Sequence, residues 1–231
     1  MENPMENYQS APLVCTRGVI VFPNQEIIID VGREKSIRAV EDGRQLFERR
    51  VVLVSQRDLT IEDPGMSDLY GVGTLCEIRH IRRLDGYLRV KFRGVCRCEL
   101  QSVSEENGCQ MAGFRVLNDI RQDELEEVTL VRMIARQFEE MEAVSSHLPK
   151  EAIAELANGV SAQQLSDQIA QMFPFSLEKR QEFLETLGIN DRLTLVLQEI
   201  QNEKQLSEIE NKINEKVKDR IEEGQKEYYL R

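Results

Sequence analysis

The hydrophobic period of this chain changes once, near residue 120, and that change dictates the architecture. Before it, short β-branched runs are punctuated by turn residues; after it, apolar residues recur every three or four positions. Glu26-Ile27-Ile28-Ile29-Asp30-Val31 is too short and too branched to favour helix, and it reads as a strand ended by Gly32. Ser36, Ala39, Val40, Gly43 and Phe47 then fall at helical spacing, which predicts one helix over about 33–49. Val51-Val52-Leu53-Val54 reads as a buried strand, and Glu62-Asp63-Pro64-Gly65 as a turn. Leu75, Ile78 and Ile81 lie in a long strand-like stretch closed by Asp85-Gly86, a hairpin signal, and a second hairpin is expected at Asn107-Gly108.

Beyond the change, Leu125, Val128, Val131, Ala135, Phe138 and Met141 form one helical stripe. Met133, Phe138 and Met141 are expected in the core of a bundle. Ser161 and Gln164 have capping-box spacing, Ser176 follows Pro174 as a further N-cap, Gly188 suits a left-handed C-cap and Asn190 a new helix start. From there to Arg231 no proline intervenes, and Leu206, Ile209, Ile213, Val217 and Ile221 make a narrow seam at spacings of 3, 4, 4 and 4. The fold class is therefore α+β: a mainly antiparallel β domain with one helix, then a helical bundle ending in a long helix. The expected divisions are 1–10 disordered, 11–118 β-rich, 121–190 bundle, and 190–231 a long connecting helix or coiled coil.

Charge narrows the partners. Residues 1–120 carry 16 Lys and Arg against 18 Asp and Glu, whereas residues 121–231 carry 14 against 23. The acidic second half would repel a phosphate backbone. There is no run of about 18 apolar residues, and the first residues, MENPMENYQSAP, have neither the basic start nor the apolar core of a secretion signal. Five cysteines without framework spacing fit reduced thiols, and a cytoplasmic location is expected.

Candidate chemistry is sparse. His80 sits beside arginines in a strand, and His147 precedes Leu148-Pro149 in a loop pattern. Cys96 and Cys98, two apart on a strand, share a face and could reach one ion, with Cys76 or Cys109 approaching through strand pairing; small buried thiols are the better reading. Ser176 and Lys179 match an S-x-x-K spacing without its companion motifs, and Ser176 has a capping role available. Neither a P-loop nor a G-x-G-x-x-G fingerprint occurs; Gly71-Val72-Gly73 leads into a strand. No catalytic, cofactor-binding or metal residue is assigned, and the fragment is not expected to be an enzyme.

The ordered set of short motifs resembles the start of the ATP-dependent Lon proteases. It comprises Arg17-Gly18, Val21-Phe22-Pro23, the strand into Asp30-Val31-Gly32-Arg33-Glu34-Lys35-Ser36, Gly71 to Thr74, Asp85-Gly86 and Arg93-Gly94-Val95. Asn211 to Arg231 is similar to the helix leading toward that family's ATPase domain. The resemblance implies a PUA-like β domain, a bundle and a connecting helix, forming the substrate-recognition and oligomer-supporting part of a cytosolic homohexamer. It also implies that a AAA+ ATPase using ATP and Mg, and a Ser-Lys protease acting on misfolded, damaged or short-lived regulatory proteins, belong to the parent protein. The implied partners are unfolded proteins and the parent's own further domains, with no membrane.

A receptor for misfolded chains needs apolar surface, because burial is non-directional and contributes about 25 cal/mol per Å². Val21, Phe22 and Pro23 are the expected patch, with Leu84 and Tyr87 flanking the hairpin turn; Phe22 plugging the β core is the competing expectation. The seam from Leu206 to Ile221 is expected to pack on a neighbouring subunit or on its own bundle. Two rival readings are a free-standing adaptor and an RNA-binding module using Arg79, Arg82, Arg83, Arg89, Lys91 and Arg93.

Overall fold

The computed structural model describes residues 8–142, 160–173 and 175–229. Six strands come first: β1 Tyr8–Thr16, β2 Glu26–Val31, β3 Arg50–Ser55, β4 Val72–Leu84, β5 Tyr87–Glu106 and β6 Cys109–Leu117, with helix α1 (Glu34–Leu46) between β2 and β3. Helices α2 (Glu124–Glu142), α3 (Ala162–Met172), α4 (Leu177–Glu185) and α5 (Ile189–Tyr229) follow. The sheet is mainly antiparallel, with one parallel pairing between β1 and β3. β1 begins at Tyr8, opposite Arg115, so the sheet already includes residues 8–10 of the segment expected to be disordered.

The sheet closes on itself because β5 is long enough to serve two neighbours along one edge. Its first half pairs with β2 and its second half with β6, while β4 runs along the other edge. The ring β1-β3-β4-β5-β6 is a small barrel, and β2 is an added strand at one end. Both hairpins turn where glycine accepts positive φ: Gly86 at +84°, and Asn107 and Gly108 at +51° and +79°. β3 is buried on both faces, with Val51 and Leu53 in the cluster under α1, and Val52 and Val54 in a second cluster. Gly43 lets α1 approach closely, since a Cβ there would lie 2.5 Å from a Val51 methyl.

The loop after β1 departs from the patch expectation. Val21, Phe22 and Pro23 are buried, and Phe22 is fully enclosed within the bundle's apolar cluster together with Ile20. The loop is held by the chain beneath it: Asn24 N–H donates to the Gly94 carbonyl and Gly94 N–H to the Gln25 carbonyl, each at 2.9 Å. Thr74 Oγ1 also donates to the Val21 carbonyl. Phe22 therefore plugs the seam between barrel and bundle, which neither expectation specified.

Buried charges make the same join. Arg97 of β5 forks onto both carboxylate oxygens of Asp167 in α3 and donates Nε to the Leu184 carbonyl at 3.0 Å. Arg192 of α5 donates Nη1 to Asp119 at 2.6 Å and to the Thr186 carbonyl at 3.0 Å, and Nε to Ser166 Oγ at 2.8 Å. Arg97 also lies 3.5 Å from Asp119, and Arg192 3.6 Å from Asp167, so two cations and two anions interlock. Burial pushes the Asp167 carboxyl above its ordinary range, and Arg97 and then Arg192 pull it back.

Several local expectations in the helices are revised. The buried row of α2 is Leu130, Ile134 and Phe138, whereas Leu125, Val128 and Met133 are exposed. Two apolar rows lie side by side on this helix, and α5 covers the one advancing by four. Gly188 does not have positive φ. It is small because a Cβ there would meet Asp191 Oδ2 at 2.3 Å and Gln122 Oε1 at 2.7 Å. Asn190 lies inside the first turn of α5 and donates Nδ2 to the Asp123 carbonyl and to Glu126. Ser161 and Ser176 do cap their helices, accepting from Gln164 N–H and Lys179 N–H.

Gly94 offers a test of the barrel–loop join. A Cβ there would lie 2.0 Å from the Phe22 carbonyl oxygen, and backbone cannot yield as a side-chain tip does. Gly94→Ala is expected to cost about 3 kcal/mol, read as a lowered urea midpoint; an unchanged midpoint would contradict the packing.

Candidate functional site

Two groups of surface apolar side chains contain residues singled out in the sequence, while Leu46, Leu59, Met66, Val95 and Ile120 are exposed elsewhere. The first is on the barrel. Leu84 and Tyr87 face each other across the β4–β5 turn and are half-buried. Strand alternation puts Tyr87, Arg89 and Lys91 on one face, and their partners in β2 across from Arg89 and Lys91 are Asp30 and Ile28. Ile28 is 62% exposed. Hairpin and β2 thus present one outer face, held by the Arg89–Asp30 and Lys91–Glu26 ion pairs at 2.7 Å. Of the expected patch, Leu84 and Tyr87 are on this face; Val21, Phe22 and Pro23 are elsewhere and buried.

The second group is the seam. Leu206, Ile209, Ile213, Val217 and Ile221 are each 50–56% exposed along α5, beyond the part of the helix that packs on α2. Among the described residues nothing covers them, so packing onto the chain's own bundle is not the arrangement seen.

Other candidates resolve differently. His80 is exposed, and His147 lies outside the described residues. Lys179 Nζ is held by Glu182 at 2.7 Å and Glu199 at 3.2 Å, and these contacts raise its pKa, the Glu182 hydrogen bond most. It is therefore poorly placed to act as a base toward Ser176. Of the basic stripe, Arg79, Arg83, Arg89 and Lys91 are paired with Glu77, Glu41, Asp30 and Glu26, which removes most of its positive field. No helix among the described residues is long and apolar enough to cross a membrane.

The cysteines are free thiols. Cys76 and Cys98 interact electrostatically with each other and with Cys96, but Cys109 has Asp42 and Glu106 as neighbours, so the four do not converge. No described group of three or more His, Cys, Asp or Glu side chains is arranged to hold a metal. Burial pushes the Cys76 and Cys98 thiols well up, and takes Cys15 to about 12 and Cys109 to about 11.

Sequence reasoning missed a pair of clefts at the start of α1, with volumes of about 550 and 430 Å³. Arg17, Arg33 and Ser36 line both. The available signal was the abrupt step from Ile27-Ile28-Ile29 into Arg33-Glu34-Lys35, which marks a strand edge running into a helix start.

A closed barrel with an added strand, a helical clamp and exposed apolar faces define a binding module on a long helix. The chain matches the model of the ATP-dependent protease La (LON) substrate-binding domain over residues 10–202, and it belongs to that family. It is 36% identical over its whole length to the Lon protease of Bacillus thuringiensis (strain Al Hakam), covering 29% of that protein. It is 32% identical over 95% of its length to the Lon protease of Escherichia coli (strain K12), covering 28% of it. The chain thus spans less than a third of the curated relatives it matches. Its fold is similar to that of the N-terminal domain of Mycobacterium avium complex Lon protease. The TM-score is 0.66 at 14% identity, covering 84% of this chain and 98% of that one. A Lon N-terminal domain protein from Xanthomonas campestris gives 0.57 at 18% identity, covering 82% and 97%.

Thiol labelling checks the burial assigned to the cysteines. Raised pKa keeps a thiol protonated and slow at pH 8. Iodoacetamide is expected to modify half-buried Cys96 first, leaving Cys15, Cys76, Cys98 and Cys109 unmodified until denaturant is added, as read by mass spectrometry. Labelling of Cys98 as fast as Cys96 would contradict the packing of β5.

Proposed function

We propose that this chain is the protein-capturing part of an ATP-dependent Lon-type protease, holding exposed apolar segments of unfolded or damaged proteins for degradation by other parts of the same assembly. The observation that carries this reading is the outer face formed by Leu84, Tyr87 and Ile28, where apolar groups sit on a hairpin locked by ion pairs. Such a face binds many sequences, because apolar burial asks for area and not for a fixed pattern of donors. Peptide-bond cleavage, ATP and Mg belong, on this reading, to an ATPase and a Ser-Lys protease domain of the parent. That parent would be a cytoplasmic homohexamer active in protein quality control and stress response. The exposed seam of α5 would support assembly by packing on the helix of a neighbouring copy.

Two measurements address these roles. Removing about 50 Å² of apolar contact at about 25 cal/mol per Å² forfeits about 1.3 kcal/mol, close to tenfold in affinity. Leu84→Ser with Tyr87→Ser is therefore expected to weaken binding of a permanently unfolded, carboxymethylated protein about tenfold, measured by fluorescence anisotropy, while the thermal melt stays in place. Full binding by the folded double variant would remove the hairpin from the reading. For the seam, sedimentation velocity of the chain is expected to show concentration-dependent association that Ile213→Glu abolishes; identical sedimentation of the two would remove the assembly role.

A further inference from the structure

The smaller cleft at the start of α1 has the features of a binding site that none of the functional residues above uses. It lies between two strand edges. β1 pairs with β6 only as far as Pro12, and from Leu13 to Thr16 it pairs with β3 alone. β2 pairs with β5 alone. Val14 to Arg17 line one side of the cleft and Ile29 to Arg33 the other, so an edge of each strand without a strand partner among the described residues borders the same space. Edges of this kind pair readily with an extended chain.

The chemistry of the walls is divided. Val19 and Ile29, both partly exposed, supply apolar surface, backed by the buried Val14 and Val31. At the other end stand Arg17, Arg33 and the first turn of α1. That helix has thirteen residues, and its N-cap, Arg33, makes no side-chain capping bond, so the first amides keep their partial positive charge. Ser36, in the first turn of this helix, lines both clefts and is only 7% exposed, so it brings a hydroxyl to the charged end of the space. Arg17 and Arg33 bind only neutral oxygens, the Ile61 carbonyl at 3.3 Å and Gln56 Oε1 at 2.6 Å. Burial, and then the Arg17 charge, lower the pKa of Arg33, so the two guanidinium groups share one small region. Asp63 and Glu62 act on Arg33 through their charges but make no direct bond to it. Asp30 is bound to Arg89, Asp63 is bound to Lys35, and Glu34 and Glu62 line the larger cleft only.

We infer that this cleft binds the C-terminal end of an extended polypeptide whose last side chain is apolar, with the terminal carboxylate on Arg17, Arg33 and the Ser36 hydroxyl and the side chain against Val19 and Ile29. This inference rests on the protein-capturing reading and deepens it by naming the part of a captured chain that the cleft would hold. An aspartate beside an apolar residue offers the same chemistry, a carboxylate next to a hydrocarbon, and the experiment separates the two.

The test uses the chain described here and a fluorescent peptide ending in Val-Ile-Val with a free carboxylate, followed by anisotropy. Two further peptides carry a C-terminal amide, one with the same sequence and one with an added internal aspartate. Free acid is expected to bind at least tenfold more tightly than either amide, and Arg17→Gln, at an exposed position, is expected to remove most of that preference without moving the thermal melt. Ser36→Ala is the second variant and is expected to weaken only the free acid. Equal binding of acid and amide, or a preference untouched by both folded variants, would overturn the inference. Recovery of binding by the aspartate peptide alone would assign the cleft to internal acidic segments and overturn the chain-end assignment. Absence of this preference in the unaltered chain, with its unfolded-protein binding at Leu84 and Tyr87 intact, sinks the cleft alone; absence of both sinks the wider reading.

Discussion

The buried exchange of charge between Arg97, Asp119, Asp167 and Arg192 is the constraint on which the rest of the molecule depends. Its four members come from β5, the segment after β6, α3 and α5, so it forms only when barrel and bundle are already in register. Removing two guanidinium groups and two carboxylates from water is costly, and the mutual attraction offsets that cost only where geometry is good and the remaining donors are occupied. Here most are, by the Leu184 and Thr186 carbonyls and by Ser166, while Arg192 Nη2 is left without a partner. The cluster therefore acts chiefly on specificity: it permits one docking of the bundle and penalises others. Phe22 adds apolar contact beside it, and Gln181 Nε2 donates to the Val72 carbonyl at 2.9 Å, tying α4 to β4.

A rigid join has a functional consequence. With Ile20, Val21, Phe22 and Pro23 buried and Asn24 and Gln25 pinned on Gly94, the barrel cannot offer that part of the loop to a partner. Three surface features remain for partners on this reading: the hairpin face, the edge of β2 with its cleft, and the distal half of α5. The first two lie on a scaffold that does not need to reorganise, and binding to a preorganised surface avoids the cost of ordering it. The third extends away from the body and is suited to contact with another chain.

The parts of the fold legible in the sequence are those decided within a few residues. Asp85-Gly86 and Asn107-Gly108 announce their turns because positive φ is a local demand, and Ser161 and Ser176 announce helix starts because a hydroxyl can reach an amide three residues on. Arg97 could not be read in the same way. In sequence it is a polar residue between two cysteines on an alternating strand, the ordinary signature of a solvated position, and only the bundle laid over it makes it buried. Phe22 failed for the same reason: a proline-flanked aromatic after a strand looks like a loop tip until Gly94 and the helices close on it. Gly188 was assigned to a left-handed cap, yet its φ is not positive and it sits instead against the side-chain ends of Asp191 and Gln122. Of the five patch residues, the two left at the surface, Leu84 and Tyr87, are those set by hairpin register.

Hydrogen exchange on Asp167→Ala measures the central dependence most directly. Breaking a buried pair by removing one partner costs about 3–5 kcal/mol, so amides in α3 and α4 should exchange about a hundredfold faster or more, while those of β3, β4 and β5 keep their protection. Unchanged exchange in α3 and α4 of the variant, or an equal rise throughout the barrel, would contradict the idea that this cluster is what fastens the bundle to the sheet.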